Sequence, residues 1–173
     1  MIHAKYLFPG EYRKSAFDID YEALYQSGVR GLIYDIDNTL TTHGDDATAE
    51  AIALMKTLFD IGFRVCFLSN NDEERCERFN RDIGAMYIHK AGKPFKKGYI
   101  SACYKMKLNR SQTVFVGDQL FTDIYGANNA GIRSILVKPI AKREEFQIVL
   151  KRILEKPVLL LFKVVHPDRC FFN

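Results

Sequence analysis

The sequence predicts an α/β fold of three layers, in which a central parallel sheet lies between helices. Short apolar segments rich in β-branched residues alternate with longer segments whose apolar residues recur at helical spacing. Polar residues follow directly after several of the short segments, where a parallel sheet places its binding sites. At 173 residues we expect one domain over 1–173, with its core over about 29–139 and a C-terminal helix and tail over 140–173.

The first half of the chain predicts two buried strands and three helices. Residues 1–17 show no clear period. After them we expect, in order, a short helix that Asp18 or Asp20 caps and Gly28 ends, a strand over 29–34, a helix that begins near Thr48 and ends just before Gly62, a strand over 63–68 and a helix that Asp72 caps. The strand over 29–34 is apolar enough to be covered on both faces, which places it inside the sheet.

The second half continues the alternation. In order we expect a strand over 86–88, a helix from Phe95 through Met106, a strand over 113–116, a helix over 121–129, a strand over 134–137 and a helix over about 142–155. An apolar segment over 157–165, which Lys163 interrupts, follows the last helix. We expect either that this segment and the preceding helix pack against the sheet or that they lie on a bilayer surface.

The composition is that of a globular protein outside the membrane-spanning classes. Hydrophobic residues make up 47% and charged residues 27% of the chain. No apolar run approaches the roughly 20 residues that cross a bilayer, and the N-terminus does not resemble a cleavable signal. The four cysteines are scattered and form no metal-type pair. We therefore expect a cytoplasmic, reducing setting, with peripheral membrane contact as an alternative.

The charge is distributed unevenly along the chain. Residues 1–82 hold 15 acidic and 9 basic residues, whereas residues 83–173 hold 6 acidic and 16 basic ones. Such a basic half suggests attraction to an anionic substrate or surface, and a solvated helix face is the alternative. We expect no nucleic-acid partner.

The polar residues that follow the strand over 29–34 include two close carboxylates, Asp35 and Asp37. At an effective dielectric constant of 20, two unit charges 4 Å apart repel by roughly 4 kcal/mol, so such a pair needs a cation. Oxygen ligands with an open position suit Mg²⁺, which shares itself with a substrate phosphate. A carboxylate beside the metal can act as a nucleophile, and a solvated turn is the alternative.

Four motifs at predicted strand ends resemble those of the haloacid dehalogenase-like (HAD) phosphatases. The DIDNT sequence at 35–39 is similar to their first motif, DxDxT, and residues 68–70 resemble the second, a strand that ends in Ser or Thr. Lys93, which precedes a proline, resembles the basic third motif, and residues 117–123 resemble the fourth, GDxxxxD. The resemblance implies the Rossmann-like HAD fold and a phosphatase.

The resemblance extends over about 8–140 to the YqeG branch of HAD subfamily IIIA, which itself resembles the mitochondrial phosphatidylglycerophosphate phosphatases. It implies that phosphatidylglycerophosphate is the leading substrate. Only about eight residues separate Thr39 from the next predicted helix, so we expect no cap domain and an open crevice. An open crevice suits phosphate groups on large bodies.

The resemblance also implies roles for the acidic residues. Asp35 would attack phosphorus and form an aspartyl-phosphate, while Asp37 would first protonate the leaving oxygen and then deprotonate water. Asp35, Asp118 and the main-chain carbonyl of Asp37 would hold Mg²⁺. Asp123 would steady the third-motif lysine or a metal-bound water, with a first-turn helix acid as the alternative.

The remaining roles concern phosphate binding. Ser69 and Asn70 would bind phosphate oxygens, Lys93 would neutralise the phosphate, and Thr39 would shape the loop. Two alternatives stay open: Ser69 could instead cap the following helix, and Lys90 could take the role of Lys93.

Three other functions compete with a lipid phosphatase. The first is a HAD phosphatase that acts on a phosphoprotein, a nucleotide or a sugar phosphate. The second is a receiver-like signalling module that becomes phosphorylated on aspartate; Asp37 argues against it, because a receiver needs no general acid there. The third is a catalytically silent binding domain, although every reactive position is filled.

Overall fold

The computed structural model describes residues 4–141 and 146–171, and it confirms the α/β prediction. Its seven strands form one sheet in which every paired neighbour is parallel, in the order β4-β3-β2-β5-β6-β1-β7. In chain order the strands are β1 (Glu11–Arg13), β2 (Gly31–Tyr34), β3 (Arg64–Leu68), β4 (Met86–Ile88), β5 (Thr113–Gly117), β6 (Arg133–Val137) and β7 (Cys170–Phe171). The predicted strand over 29–34 thus becomes β2, which lies between β3 and β5.

Helices connect the strands and cover both faces of the sheet. In chain order they are α1 (Tyr21–Gln26), α2 (Ala49–Ile61), α3 (Glu73–Asn80), α4 (Lys96–Lys105), α5 (Tyr125–Asn129) and α6 (Phe146–Val165). At the starts of α1, α2 and α3, a side-chain oxygen accepts a hydrogen bond from a backbone N–H of the first turn; these oxygens belong to Asp20, Thr48 and Asp72. These three caps confirm the predicted helix starts.

The residues of β2 alternate between two apolar layers, which is why both faces of the sheet are covered. Leu32 and Tyr34 belong to the cluster that includes Leu58 of α2, whereas Ile33 belongs to the cluster that includes Tyr99 of α4. All five side chains are fully buried. This alternation is what a strand buried on both sides requires, and it gives the three layers that the sequence predicts.

The last two strands on one side of the sheet, β1 and the edge strand β7, were not predicted. β1 has three residues, of which only Tyr12 is buried, and it pairs in parallel with β6 and with β7. Segments of two or three residues are too short for an alternating pattern to stand out, so periodicity did not detect either strand. The sheet therefore extends beyond the expected 29–139 core at both ends of the chain.

The C-terminal helix also differs from the prediction. The expected helix over 142–155 is observed from Phe146 onward, while 142–145 lie outside the described residues. It continues through Pro157 to Val165, so the predicted helix and the apolar segment form one element. Proline removes one backbone donor from a helix interior, but buried Phe162 holds the later turns against the sheet. No helix among the described residues is long and apolar enough to cross a bilayer.

Candidate active site

A polar crevice of about 360 Å³ lies at the carboxyl ends of the central strands. Because β3, β2 and β5 are neighbours in a parallel sheet, the loops after them open on the same edge. The residues that line the crevice are Asp35, Asp37, Asn38, His43, Ser69, Asn70, Asn71, Lys93, Gln119 and Thr122. The structure therefore brings together residues from all four motifs found in the sequence.

Lys93 lies at the centre of the crevice. Its Nζ atom is 2.5 Å from Oδ1 of Asp35 and 2.8 Å from Oδ1 of Asp123, and the lysine is buried. Asn70 fixes this lysine through the main chain, because its side chain accepts from Lys93 N at 2.7 Å and donates to Lys93 O at 3.2 Å. Lys90, the alternative candidate, is exposed and does not line the crevice.

Three buried carboxylates offer oxygens to a single point. One oxygen each of Asp35, Asp118 and Asp123 lies within 4.8 Å of the other two. Thr39 holds the carboxylate of Asp118, because its Oγ1 atom donates a hydrogen bond to Oδ1 of Asp118 at 3.3 Å. When all three are ionised, the lysine balances only one negative charge, and uncompensated buried charge is costly. An all-oxygen donor set with excess negative charge fits a hard divalent cation such as Mg²⁺.

The carboxyl of Asp35 holds its proton more tightly than an ordinary aspartate. Burial raises its pKa to about 7; Lys93 opposes this shift, and the nearby Asp123 adds to it. Burial alone would lower the pKa of Lys93, but Asp123 and Asp35 outweigh that effect and raise it above its usual value. The lysine is therefore a permanent cation, whereas Asp35 needs further positive charge to stay ionised at neutral pH.

Asp37 is held by residues that the sequence did not single out for this role. Its Oδ1 atom accepts from Nη2 of Arg75 at 2.9 Å and from the backbone N–H of Gly44 at 3.0 Å. Its Oδ2 atom accepts from the side-chain amide of Asn71. Arg75 lies in the first turn of α3, far from Asp37 in sequence, so no local pattern links the two.

The structure also bears on the alternatives for Ser69 and Asp123. Asp72, not Ser69, caps α3; the hydroxyl of Ser69 instead accepts from the backbone N–H of Asn71 at 3.1 Å and lines the crevice. Asp123 does more than favour a helix dipole, because its second oxygen accepts from the backbone N–H of Gln119 at 3.1 Å while the first contacts the lysine.

The fourth motif is packed too tightly for larger residues. A Cβ atom on Gly117 would lie 2.6 Å from Oδ2 of Asp123, so glycine is needed for this carboxylate to reach Lys93. Tyr99 of α4 also contacts the fourth motif, because its hydroxyl donates to the main-chain oxygens of Thr122 at 2.8 Å and of Asp123 at 3.2 Å. The turn over Leu120–Ile124 is a π-helix rather than the start of the predicted α-helix over 121–129.

The two connections that flank the crevice are short. Between β2 and α2 the chain forms only a loop, and between β3 and β4 it forms only α3; both connections are fully described. Neither holds a cap domain, as expected. The crevice is therefore bordered by a loop and a short helix and not by a second domain.

Known proteins give a consistent set of matches. The profile of the family described as HAD-hydrolase-like matches residues 90–145. The chain is 36% identical over 160 residues to the probable phosphatase YqeG of Bacillus subtilis, a match that covers 92% of this chain and 93% of that one. It is also 30% identical over 145 residues to phosphatidylglycerophosphate phosphatase 1, chloroplastic/mitochondrial, of Arabidopsis thaliana, which covers 76% of this chain and 40% of the relative.

Solved structures share the fold at lower identity. An uncharacterised protein from Listeria monocytogenes serotype 4b superimposes with a TM-score of 0.54 at 18% identity, over 78% of this chain and 99% of that one. The cobalt-bound deoxy-D-mannose-octulosonate 8-phosphate phosphatase YrbI of Haemophilus influenzae gives a TM-score of 0.51 at 17% identity, over 75% and 88%. At these identities the likeness shows the fold alone.

Proposed function

The chain belongs to the HAD-like phosphatases related to YqeG, and we propose that it hydrolyses phosphomonoesters through an aspartyl-phosphate on Asp35 with Mg²⁺ as cofactor. The observation that carries this proposal is the position of Lys93, whose ammonium lies within 2.8 Å of both Asp35 and Asp123. Asp118 lies in the same carboxylate group. A nucleophile, a fixed cation and a site for a divalent ion thus surround one point, as phosphoryl transfer requires.

The reaction follows in two balanced steps. In the first, an oxygen of Asp35 forms a bond to phosphorus, the ester P–O bond breaks, and Asp37 gives its proton to the leaving oxygen. In the second, water attacks phosphorus, its proton passes to Asp37, and the bond to Asp35 breaks to release inorganic phosphate. Lys93 neutralises the phosphoryl oxygens in both steps, and the Ser69 hydroxyl, which lines the crevice, donates to one of them.

We assign the metal to the carboxylates of Asp35 and Asp118 and, from the family motif, to the main-chain carbonyl of Asp37. A bound divalent cation supplies charge that draws the phosphate dianion toward an anionic nucleophile. Asp123 supports the site by holding Lys93 rather than by touching the phosphate. Asn70 also holds Lys93, through the main chain of the lysine, and we keep the proposed contact of Asn70 with a phosphate oxygen because it lines the crevice.

We propose phosphatidylglycerophosphate, a phosphomonoester on a lipid, as the substrate. The relative from Arabidopsis thaliana is named for this reaction, the crevice is open, and the second half of the chain is basic enough to favour an anionic surface. We also propose that residues 1–173 act as one domain, because β1 and β7 join the sheet of the central strands. A lipid substrate would bring this domain into peripheral contact with a membrane.

The test is a panel of substrates assayed with Mg²⁺. Phosphatidylglycerophosphate in mixed micelles is compared with soluble phosphomonoesters, namely a sugar phosphate, a nucleotide and a phosphopeptide. We expect the lipid to give the largest kcat/KM, and the Asp35→Asn variant to be inactive toward every compound. Equal or better turnover of a soluble compound would remove the lipid substrate while leaving the phosphatase.

A further inference from the structure

The helix α6 has one buried and one exposed face, and both carry apolar residues. Glu155 and Phe162 are buried against the sheet side, with Val158 and Leu159 partly buried beside them. On the opposite face six large apolar residues are between 52% and 72% exposed: Ile153, Leu154, Leu160, Leu161, Val164 and Val165. We call these six residues the α6 apolar face.

The α6 apolar face is continuous and free of charge. At about 100° per residue, its members fall within an arc of roughly 140° that also contains exposed Pro157. Lys156 and Lys163 lie together along one edge of this arc. An uncharged arc with a basic edge is the pattern of a helix that lies in the plane of a membrane interface.

The charges around this face favour an anionic bilayer over a second copy of the chain. Residues 83–173 hold 16 basic and 6 acidic residues, so this half of the protein is drawn toward anionic lipid. Two antiparallel copies of α6 related by a two-fold axis would place both basic edges on the same side of the contact, where like charges repel. A lipid surface satisfies the apolar arc and the basic edge together.

A direct contact joins α6 to the crevice. The carboxylate of Glu155 accepts from the backbone N–H of Leu120 at 2.7 Å in a buried position. The preceding residue, Gln119, lines the crevice and follows Asp118 of the carboxylate group. The middle of α6 is therefore fixed to the loop that carries the proposed catalytic groups.

We propose that the α6 apolar face docks on an anionic lipid bilayer and so holds the crevice at the level of lipid phosphate groups. This inference rests on the proposed lipid substrate, and it adds the surface by which the protein reaches that substrate. Because the connections beside the crevice hold no cap domain, the docked bilayer would cover the mouth of the crevice.

The test measures vesicle binding and catalysis separately. The double variant Leu160→Glu/Val164→Glu and a milder Leu160→Gln/Val164→Gln variant change two exposed positions, and Tyr104→Glu changes an 85% exposed residue of α4 as the matched control. Binding is measured by co-sedimentation with phosphatidylcholine vesicles with and without phosphatidylglycerol. Hydrolysis of a soluble phosphomonoester reports whether each variant is folded.

We expect the wild type and Tyr104→Glu to bind vesicles that contain phosphatidylglycerol and to bind pure phosphatidylcholine vesicles only weakly. The glutamate pair should lower the bound fraction by on the order of tenfold or more without changing turnover of the soluble ester. Lys156→Gln should weaken binding about fivefold, and added salt should weaken binding of the wild type.

Each other outcome separates the docking surface from the proposed function. Hydrolysis of the lipid in micelles without vesicle binding would overturn the docking surface and leave the substrate. Vesicle binding that depends on the α6 apolar face without hydrolysis of the lipid would support the docking surface and remove the substrate. The wild type could instead sediment as a dimer that the glutamate pair dissociates, while vesicle binding stays unchanged. That result would overturn the bilayer and assign the α6 apolar face to a second copy of the chain.

Discussion

Arg75 and Asp37 form a buried ion pair across the candidate site, with Nη2 of the arginine 2.9 Å from Oδ1 of the aspartate. The arginine side chain is only 9% exposed, and the two nitrogens that do not contact Asp37 have no hydrogen-bond partner among the described residues. As Asp37 also accepts from Gly44 and Asn71, its carboxylate is fully engaged as an acceptor. Proton donation by Asp37 in the proposed reaction therefore requires one of its oxygens to leave one of these three contacts.

Arg75→Met should lower kcat by about 10- to 100-fold with little change in KM, because Asp37 would lose the group that orients it. The measurement is steady-state hydrolysis of a soluble phosphomonoester with Mg²⁺. Arg78→Met is the matched control on the same helix, since Arg78 contacts Gly44 O and Asp46 but not Asp37. Partial recovery in Arg75→Lys would support a positioning role, and equal losses in the Arg75 and Arg78 variants would contradict it.

Gly117→Ala should lower kcat by about 100-fold, because the new Cβ atom would push Asp123 away from Lys93. The same assay measures the loss, and circular dichroism checks that the fold is kept. A folded variant with wild-type turnover would show that Asp123 need not hold the lysine.

Mg²⁺ should bind more tightly as the pH rises toward neutrality. The pKa of Asp35 is raised to about 7 by burial, so below that pH a proton must leave before the carboxylate can bind metal. The apparent affinity should increase up to about tenfold per pH unit below about 7 and then level off. Titration calorimetry over this range measures the effect, and Asp35→Asn should flatten it.

The same raised pKa predicts how the metal-free protein responds to pH. A carboxyl whose folded pKa lies above its unfolded value of about 4 binds its proton more tightly when folded, so it stabilises the fold at low pH. That contribution is lost as the pH rises from about 4 to 7. Thermal unfolding with a chelator present should show this decline, and a matching decline in Asp35→Asn would assign it to another group.

Phe162→Ala should destabilise the protein by about 3–5 kcal/mol, whereas Leu161→Ala should change its stability by about 0.5 kcal/mol or less. Phe162 is fully buried in the cluster beneath α6, and its neighbour Leu161 is 54% exposed. Denaturant unfolding of both variants measures the difference. Similar losses for the two would mean that the faces of α6 are assigned wrongly.

The sequence was sufficient to predict the central sheet and the place of the site. Apolar runs such as the one that forms β2 are buried on both faces, so composition alone indicates them, and Asp72 marks a helix start through its local cap. Polar residues at the ends of such strands then must meet at one edge. The resemblance to the family motifs pointed to Asp35 and Lys93, and the structure brings these two side chains into contact.

The sequence could not predict contacts that depend on the packed structure. Arg75 meets Asp37 only because α3 folds back over the loop after β2. Asn70 contacts the main chain of Lys93, a residue 23 positions away in the sequence. The apolar residues of 157–165 gave no sign of which face would be buried. The buried face of α6 is set by the packing of Phe162 into a cluster whose other buried members are distant in sequence.

The central claim is that Asp35 briefly carries the phosphoryl group, and acid quenching followed by peptide mass spectrometry tests it most directly. The enzyme is mixed with Mg²⁺ and a soluble phosphomonoester, quenched, and digested, with Asp37→Asn used to slow breakdown of the intermediate. We predict phosphate on the peptide that contains Asp35, more of it in Asp37→Asn, and a loss of turnover on the order of 10³-fold or more in Asp35→Asn. Near-normal turnover of Asp35→Asn, or phosphate on another residue, would contradict the account.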